Sequence, residues 1–226
     1  FVPVTQEDGS NRENAYRNDR KYSLKVGFTP NATDEYAISY VNQQGTKGTP
    51  PYVGSDTRQV TRFWQWPYWN KESVYFISRT ALGAASYLKA RLFYDHFGNL
   101  LSAFDDNRYA TQTKGSSFNS YYNDDTQGGS LEWGIRQTRQ HTLKASAHAK
   151  HDIHRENNAG EPVRRFVDQT FSIGLEDTYR PSARLSIAPG FSYNARRSRE
   201  AANYNSRTRE STPFPGNTNG AVNAQI

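Results

Sequence analysis

The feature that most constrains the fold of this chain is a repeated alternation of apolar and polar residues, divided by connections of alternating length. In the clearest segment, Leu131, Trp133 and Ile135 alternate with polar or small residues, the period of two expected of a half-buried strand. The segments with this pattern lie near residues 21–28, 35–44, 61–79, 85–97, 130–136, 143–150, 170–176 and 185–194. The turns near 30, 82, 139 and 181 are short, and the loops near 52, 111, 159 and 208 are long. This spacing predicts about eight antiparallel strands joined as a meander.

The regular difference between short turns and long loops favours a membrane barrel over other β folds. Transmembrane β-barrels have short periplasmic turns and longer extracellular loops, whereas sandwiches lack this asymmetry. Charged residues occupy the polar side of several strands, namely Lys89, Arg91, Lys144 and Glu176. These charges would be buried in a filled soluble core but suit a polar lumen. We therefore predict an all-β fold, an antiparallel transmembrane β-barrel segment.

Composition is compatible with this prediction despite a mean hydropathy of −0.92. Aromatic residues make up 14% of the chain, too many for a disordered polar polypeptide. No apolar run approaches the roughly 18 residues of a spanning helix, whereas a spanning strand needs only about 9 to 11 residues. The net charge of +6 is scattered along the chain. Because nucleic-acid proteins cluster their basic residues, we expect no nucleic-acid partner.

Three regions are expected along the chain. Residues 1–20 are interpreted as the end of a polar loop, residues 21–196 as transmembrane strands with their loops, and residues 197–226 as an extracellular loop followed by the start of a further strand at Ala221. The chain contains no methionine and begins at Phe1 without a secretory signal, so we expect a processed or truncated piece.

Three stretches resemble the barrel of TonB-dependent outer-membrane receptors. They are Lys25–Tyr36 (KVGFTPNATDEY) continuing to Gly45, Trp64–Glu72 (WQWPYWNKE) and Gly174–Pro181 (GLEDTYRP). The resemblance covers most of residues 21–196 and implies a larger barrel of about 22 strands whose lumen holds a plug domain. Our chain would be a C-terminal-side piece of that wall, without the plug and without the short box that engages TonB.

The resemblance also implies a function and a location. The whole protein is expected to import a scarce ligand, an iron chelate such as a ferric siderophore, with energy passed through the TonB complex. We expect it in the outer membrane of a Gram-negative bacterium, in contact with membrane lipid and lipopolysaccharide. Two alternatives stay open: a complete eight-stranded barrel acting as an adhesin, structural protein or passive pore, and a secreted soluble β-rich protein that binds or hydrolyses carbohydrate.

Two groups of residues are candidate sites. The first group lies in residues 98–125, predicted to be irregular, and combines aromatic and basic side chains that suit an anionic ligand: Arg108, Tyr109, Phe118, Tyr121 and Tyr122. The second group is interpreted as a membrane-interface girdle, with a ligand platform as the alternative: Trp64, Trp66, Tyr68 and Trp69. Ordinary loop composition also explains the first group.

Neither a metal site nor a catalytic site is expected. His148, Asp152 and His154 share one strand face, His151 lies on the other, and residues 153–165 are predicted to be a loop. The acidic pairs at 105–106 and 124–125 are interpreted as polar turns. The sequence has no cysteine, no phosphate-binding loop and no nucleophile elbow, so we expect neither a cofactor nor an enzyme.

A group of arginines near the C-terminal end has two interpretations. It suits lipopolysaccharide phosphates or an anionic ligand, since guanidinium forks match phosphate, or it is a solvated loop. Its members are Arg196, Arg197, Arg199, Arg207 and Arg209.

Overall fold

The computed structural model describes residues 4–7, 12–52, 54–214, 216 and 218–225, and these form strands joined by turns and loops. The strands in chain order are β1 (Val4–Glu7), β2 (Tyr16–Phe28), β3 (Glu35–Thr49), β4 (Phe63–Ala81), β5 (Ser86–Phe104), β6 (Asn119–Arg136), β7 (His141–Asn158), β8 (Arg164–Ser182), β9 (Leu185–Ile187), β10 (Gly190–Glu200), β11 (Ala202–Asn205), β12 (Glu210–Pro213) and β13 (Thr218–Gln225). In this part of the chain, no helix is long and apolar enough to cross a membrane.

The strands form one large antiparallel sheet and one small hairpin. The large sheet has eleven strands in the order β1-β2-β3-β4-β5-β6-β7-β8-β10-β13, with β9 paired to β8. Strands β11 and β12 pair with each other in the connection between β10 and β13. Most neighbours in the sheet are therefore neighbours in the sequence. The predicted fold class is confirmed: the chain is an all-β antiparallel meander, consistent with a barrel segment.

One face of the sheet is apolar and exposed. Leu24 and Phe28 are each 64% exposed, and Leu175 at the far side of the sheet is 63% exposed. A continuous band of large side chains, called here the apolar face, joins them: Tyr22, Val26, Ile38, Tyr40, Val74, Leu92, Tyr94, Leu131, Trp133, Phe171, Ile173, Phe191, Tyr193 and Val222. Soluble monomers rarely expose so large an apolar area, whereas barrel walls present one to lipid.

The opposite face, called here the inner face, carries ion pairs between neighbouring strands. Lys89 lies 2.9 Å from Glu132, and Lys144 lies 2.8 Å from Glu176. These are charged residues that the sequence analysis expected to face a polar lumen. Cross-strand pairing of opposite charges satisfies them without a soluble core.

The strands are longer than the sequence pattern predicted. Strands β4 to β8 have 18 or 19 residues each, roughly 60 Å at the usual rise per residue, about twice what crossing a bilayer requires. The apolar face occupies the half nearest the short turns, called here the lower end. The other half, toward the loops at 50–62 and 105–118, is called here the upper end.

Several predicted boundaries are therefore wrong. Residues 98–125 and 153–165 were predicted to be irregular, but β5 and β6 continue to a loop of residues 105–118, and β7 and β8 to a loop of residues 159–163. The predicted loop 1–20 contains β1 and the start of β2, and the boundary at 196 falls inside β10. At the upper end apolar and polar residues do not alternate regularly along the sequence, although the backbone ladder persists. The further strand in 197–226 is present as β13, from Thr218 rather than Ala221.

Strand β4 has a bulge at Pro67, a residue that cannot donate a hydrogen bond to the ladder. The pairing of β4 with β5 shifts register between Gln65 and Tyr68, so the chain gains a residue at this point. Because a bulge resets the alternation of side chains, residues three apart lie on the same face across it. Trp66 and Trp69 consequently share the inner face, where they contact each other.

Candidate ligand-binding wall

The upper end of the inner face carries aromatic side chains in two groups of contacting rings, together called here the upper wall. Strand β4 contributes three tryptophans, and β5 to β8 contribute one ring each, which places the rings side by side in the sheet. The members are Trp64, Trp66, Trp69, Phe97, Tyr122, His154 and Phe166.

The first part of the upper wall is an edge-to-face series of rings. The centroids of Trp64 and Trp66 are 6.1 Å apart, those of Trp66 and Trp69 6.0 Å, and those of Trp69 and Phe97 4.9 Å. The interplanar angles are 71° to 86°, the arrangement that the quadrupoles of aromatic rings prefer. These contacts hold the indoles in fixed orientations on the sheet.

A lysine from the neighbouring strand lies over this series. The ammonium of Lys47 on β3 is 3.3 Å from the ring centroid of Trp69 and 4.5 Å from that of Trp66. Both distances are within cation–π range, where the attraction contributes about 0.5–1 kcal/mol at exposed sites. The site therefore combines flat rings with one fixed positive charge.

The second part of the upper wall is polar as well as aromatic. The ring of His154 is 5.9 Å from that of Tyr122 and 5.5 Å from that of Phe166. Its Nδ1 lies 2.6 Å from Asp124, and its Nε2 lies 3.3 Å from Glu156. Arg164 pairs with Glu156 at 3.2 Å. Both imidazole nitrogens therefore face carboxylates, which fixes the ring on the sheet.

The histidines do not form a metal cluster in the described residues. The predicted split is confirmed by the pairing: His148 and His154 lie on the inner face and His151 on the other. His148 stacks on Phe93 at 6.3 Å instead of joining His154. Among the residues that the structure describes, no group of three or more His, Cys, Asp or Glu side chains could hold a metal ion. The expectation of no metal stays a prediction.

The four residues of the predicted girdle do not share a face. Trp64, Trp66 and Trp69 lie on the inner face, whereas Tyr68 lies on the opposite side, level with Leu100 on β5. The girdle interpretation thus stays a prediction for Tyr68 alone. For the three indoles, the position favours the alternative that the sequence left open, a platform for a ligand.

Sequence reasoning missed the tyrosines that border the apolar face at its upper edge. The hydroxyl of Tyr40 donates to Glu72 at 2.8 Å, and that of Tyr94 donates to Asp125 at 2.6 Å. An apolar ring with a polar tip is typical of a membrane–water interface. The carboxylate that each tyrosine contacts lies on the neighbouring strand. It can be identified as a partner only when the register of the two strands is known.

The five residues predicted to bind a ligand do not form one site in the structure. Tyr121 and Tyr122 lie in β6 and point to opposite faces, so of the two only Tyr122 joins the upper wall. Phe118 exchanges backbone hydrogen bonds with Ala103 and prolongs the ladder. The amide of Arg108 donates to Asp106 at 2.9 Å within the loop.

Tyr109 anchors the loop 105–118 on the sheet. Its ring meets Phe63 edge-on at 6.1 Å and Phe104 at 5.8 Å. Burial raises the pKa of Tyr109 to about 12. The ring of Tyr109 is therefore packed against two aromatic side chains of the sheet. Ligand binding by the five residues of the predicted loop stays a prediction.

Comparison with known proteins finds a likeness of fold. The chain is similar to the solved structure of a copper transporter, OprC, with a TM-score of 0.71, 13% identity and coverage of 95% of this chain and 34% of that chain. The chain thus spans about a third of the length of that protein. No protein-family model matches the chain, and no curated protein matches it. The likeness concerns the fold: it is that of a segment of an antiparallel outer-membrane β-barrel.

Proposed function

We propose that this chain forms part of the wall of a TonB-dependent outer-membrane transporter that imports an iron chelate such as a ferric siderophore. The observation that carries the proposal is the upper wall, a rigid aromatic platform above the apolar face and on the side that a closed barrel turns toward its lumen. In a passive pore, nothing requires seven ring-bearing side chains to be grouped at one end of the strands.

The sheet supports a membrane location for this wall. Its apolar face is exposed at the lower end, and its inner face carries paired charges, the arrangement of a barrel that meets lipid outside and water inside. Backbone groups in a membrane must find hydrogen-bond partners. At the height of the apolar face, the described sheet ends at the lower half of β2 on one side and at β13 on the other, and both edges require pairing within a closed barrel.

The chemistry of the upper wall supports a chelate as the ligand. Flat, delocalised groups such as hydroxamate or catecholate rings around a metal present faces on which indoles stack, and the ammonium of Lys47 attracts the negative charge of an anionic chelate. The copper named for OprC is not carried over, since a likeness at 13% identity concerns the fold. We propose that binding and transport are its whole activity, without catalysis.

An uptake measurement tests this function. Cells that express the protein with intact or deleted TonB are supplied with iron-55 as a ferric hydroxamate or as a ferric catecholate. We expect uptake of at least one chelate to require both the protein and TonB. Uptake that is unchanged without TonB would support the passive pore and contradict the proposal.

A substitution in the upper wall tests the site. Trp66→Leu removes the central indole of the series, so we expect the apparent affinity for the chelate to fall about tenfold, equivalent to about 1.4 kcal/mol. Trp133→Leu is the matched control, because it removes an indole from the apolar face. Equal loss of affinity in both variants would show that the effect comes from the fold and would exclude the upper wall as the site.

A further inference from the structure

A second group of charged and aromatic side chains lies at the lower end of the inner face. It surrounds an open cavity of about 570 Å³, within the range of about 300–1,000 Å³ that small-molecule sites occupy. Arg91 lies six residues below Phe97 of the upper wall on β5, roughly 20 Å at the usual rise per residue. The charged residues that line the cavity, called here the lower cluster, are Lys25, Glu35, Arg79, Lys89, Arg91 and Glu132.

The charges of the lower cluster are not balanced within it. Arg79 lies directly opposite Lys89 in the β4–β5 pairing, and like charges at such positions destabilise a sheet. Lys89 contacts Glu132 at 2.9 Å. Glu35 is opposite Arg79 on β3, but among the described residues neither Arg79 nor Arg91 forms an ion pair. Four basic residues thus share two carboxylates, and the surplus charge is positive.

Aromatic rings hold the two arginines of the lower cluster on the sheet. The Cζ atom of Arg91 lies 5.6 Å from the ring centroid of Tyr75 and 5.2 Å from that of Phe93. The Cζ atom of Arg79 lies 5.3 Å from the ring centroid of Tyr87. These distances are within cation–π range, so each guanidinium is oriented without having its charge neutralised.

A row of stacked rings lies beside the guanidinium of Arg91. The centroids of Tyr75 and Phe93 are 6.4 Å apart, and those of Phe93 and His148 are 6.3 Å apart, with interplanar angles of 27° and 13°. Phe93 reaches across β6 because residue 128 there is glycine: a Cβ added at Gly128 would lie 2.8 Å from its ring. The lower cluster is therefore bordered by flat apolar surfaces as well as by positive charge.

We infer that the lower cluster is a second binding site, which holds the anionic chelate after it has left the upper wall. An anion between Arg79, Lys89 and Arg91 would offset their mutual repulsion, and the row of rings offers faces to the flat groups of the same molecule. The inference rests on the proposed function, and it concerns the passage of the ligand rather than its capture.

Binding and uptake measured on the same variants test the inference. The probe is iron-55 as a ferric tris-catecholate, which is anionic. Isolated outer membranes give the affinity of capture, and energised cells with intact TonB give the rate of uptake at a saturating concentration of the probe. In Arg79→Gln/Arg91→Gln, the upper wall is intact, so we expect the affinity to stay within about twofold. The rate of uptake should fall about tenfold, because the second site no longer attracts the anion.

Two further variants separate charge from other effects. Arg139→Gln/Arg184→Gln removes two exposed arginines from turns at the lower end, outside the lower cluster, and should leave uptake unchanged. Arg79→Lys/Arg91→Lys keeps both charges, and we expect uptake within about threefold of that of the unchanged protein. An equal loss of uptake in the turn variant, or no recovery with lysine, would overturn the inference.

The remaining outcomes distinguish this inference from its rivals. Normal uptake by the glutamine variant, or import of an uncharged ferric hydroxamate alone, would refute the second site and leave the proposed function standing. A loss of affinity as large as the loss of uptake would assign the arginines to capture and overturn the inference. Greater entry of vancomycin, which ordinary pores exclude, would show that the arginines hold an acidic part of the protein in the lumen and would likewise overturn it. An unchanged protein without TonB-dependent uptake of either chelate would refute the proposed function, and the second site with it.

Discussion

Asp105 closes the loop between β5 and β6 by accepting several hydrogen bonds at once. Its carboxylate receives the amide of Lys114 at 2.9 Å and both the amide and the hydroxyl of Thr113 at 2.8 Å. The hydroxyl of Ser117, followed by these backbone amides, holds the pKa of Asp105 well below its usual range. A single residue thus fixes the geometry of a loop of residues 105–118.

The loop should therefore loosen in acid. Because the folded pKa of Asp105 is lowered, its stabilisation is complete above the ordinary carboxyl pKa of about 4 and is lost as the pH falls through the lowered value. Hydrogen exchange at Thr113 and Lys114, corrected for intrinsic rates, should show protection at neutral pH that declines below about pH 4. In Asp105→Asn, protection should already be weak at neutral pH and independent of acid. The control is Asp106→Asn, because the carboxylate of Asp106 accepts the amide of Arg108 and does not contact Thr113 or Lys114 in the described hydrogen bonds. Unchanged protection in Asp105→Asn would contradict the prediction.

The facing of individual side chains was harder to predict than the strands that carry them. A proline inside a strand favours a bulge, as at Pro67. The direction of Trp64, Trp66 and Trp69 nevertheless depends on where the additional residue is inserted. If side chains are assigned to the two faces by simple alternation, the assignment is reversed beyond the inserted residue. The tryptophans were therefore identified as functional candidates while their face stayed undecided.

At the scale of elements, the sheet is regular where its sequence is not. The alternation predicted the strands at the lower end because one face there is apolar. At the upper end, pairs such as Asn99 with Tyr122 continue the ladder without a regular alternation of apolar and polar residues. Sequence periodicity reports a consistent difference between the two faces of a strand, so a strand without that difference has no period of two to detect. The candidate site lies in that part and could not be assembled from sequence.

Glycine at one strand position makes room for an aromatic ring on the inner face. A Cβ added at Gly134 would lie 2.4 Å from the ring of Tyr87, whose hydroxyl donates to Glu132 at 2.9 Å. We expect Gly134→Ala to displace the ring, break this hydrogen bond and lower the free energy of unfolding by about 1–3 kcal/mol. Urea unfolding of the protein in vesicles measures the change. Gly115→Ala in the loop is the control, since an added Cβ there meets nothing within 4 Å; equal effects of the two substitutions would be inconsistent with a steric cause.

At the scale of the whole molecule, the two faces of the sheet should respond oppositely to the same new charge. Ile173 belongs to the apolar face at mid-height, and its neighbour Ser172 points to the inner face. A lipid-facing arginine at the midplane costs about 2–4 kcal/mol, so Ile173→Arg should reduce the yield of protein inserted into vesicles. Ser172→Arg should insert normally, because its side chain enters the polar side. Insertion yield after flotation is the measurement, and equal yields would argue against lipid on the apolar face.

The extension of the strands above the apolar face also affects how fast and how tightly a ligand is held. A binding surface made of mobile loops must lose conformational entropy when it captures its ligand, and that loss weakens binding. On the upper wall, the backbone ladder has already fixed the positions of the rings. The ring-bearing residues lost most of their conformational entropy during folding. On binding, the remaining loss of entropy therefore comes mainly from the ligand. Association should accordingly proceed without a slow rearrangement step of this part of the protein, at a rate set by diffusion and orientation.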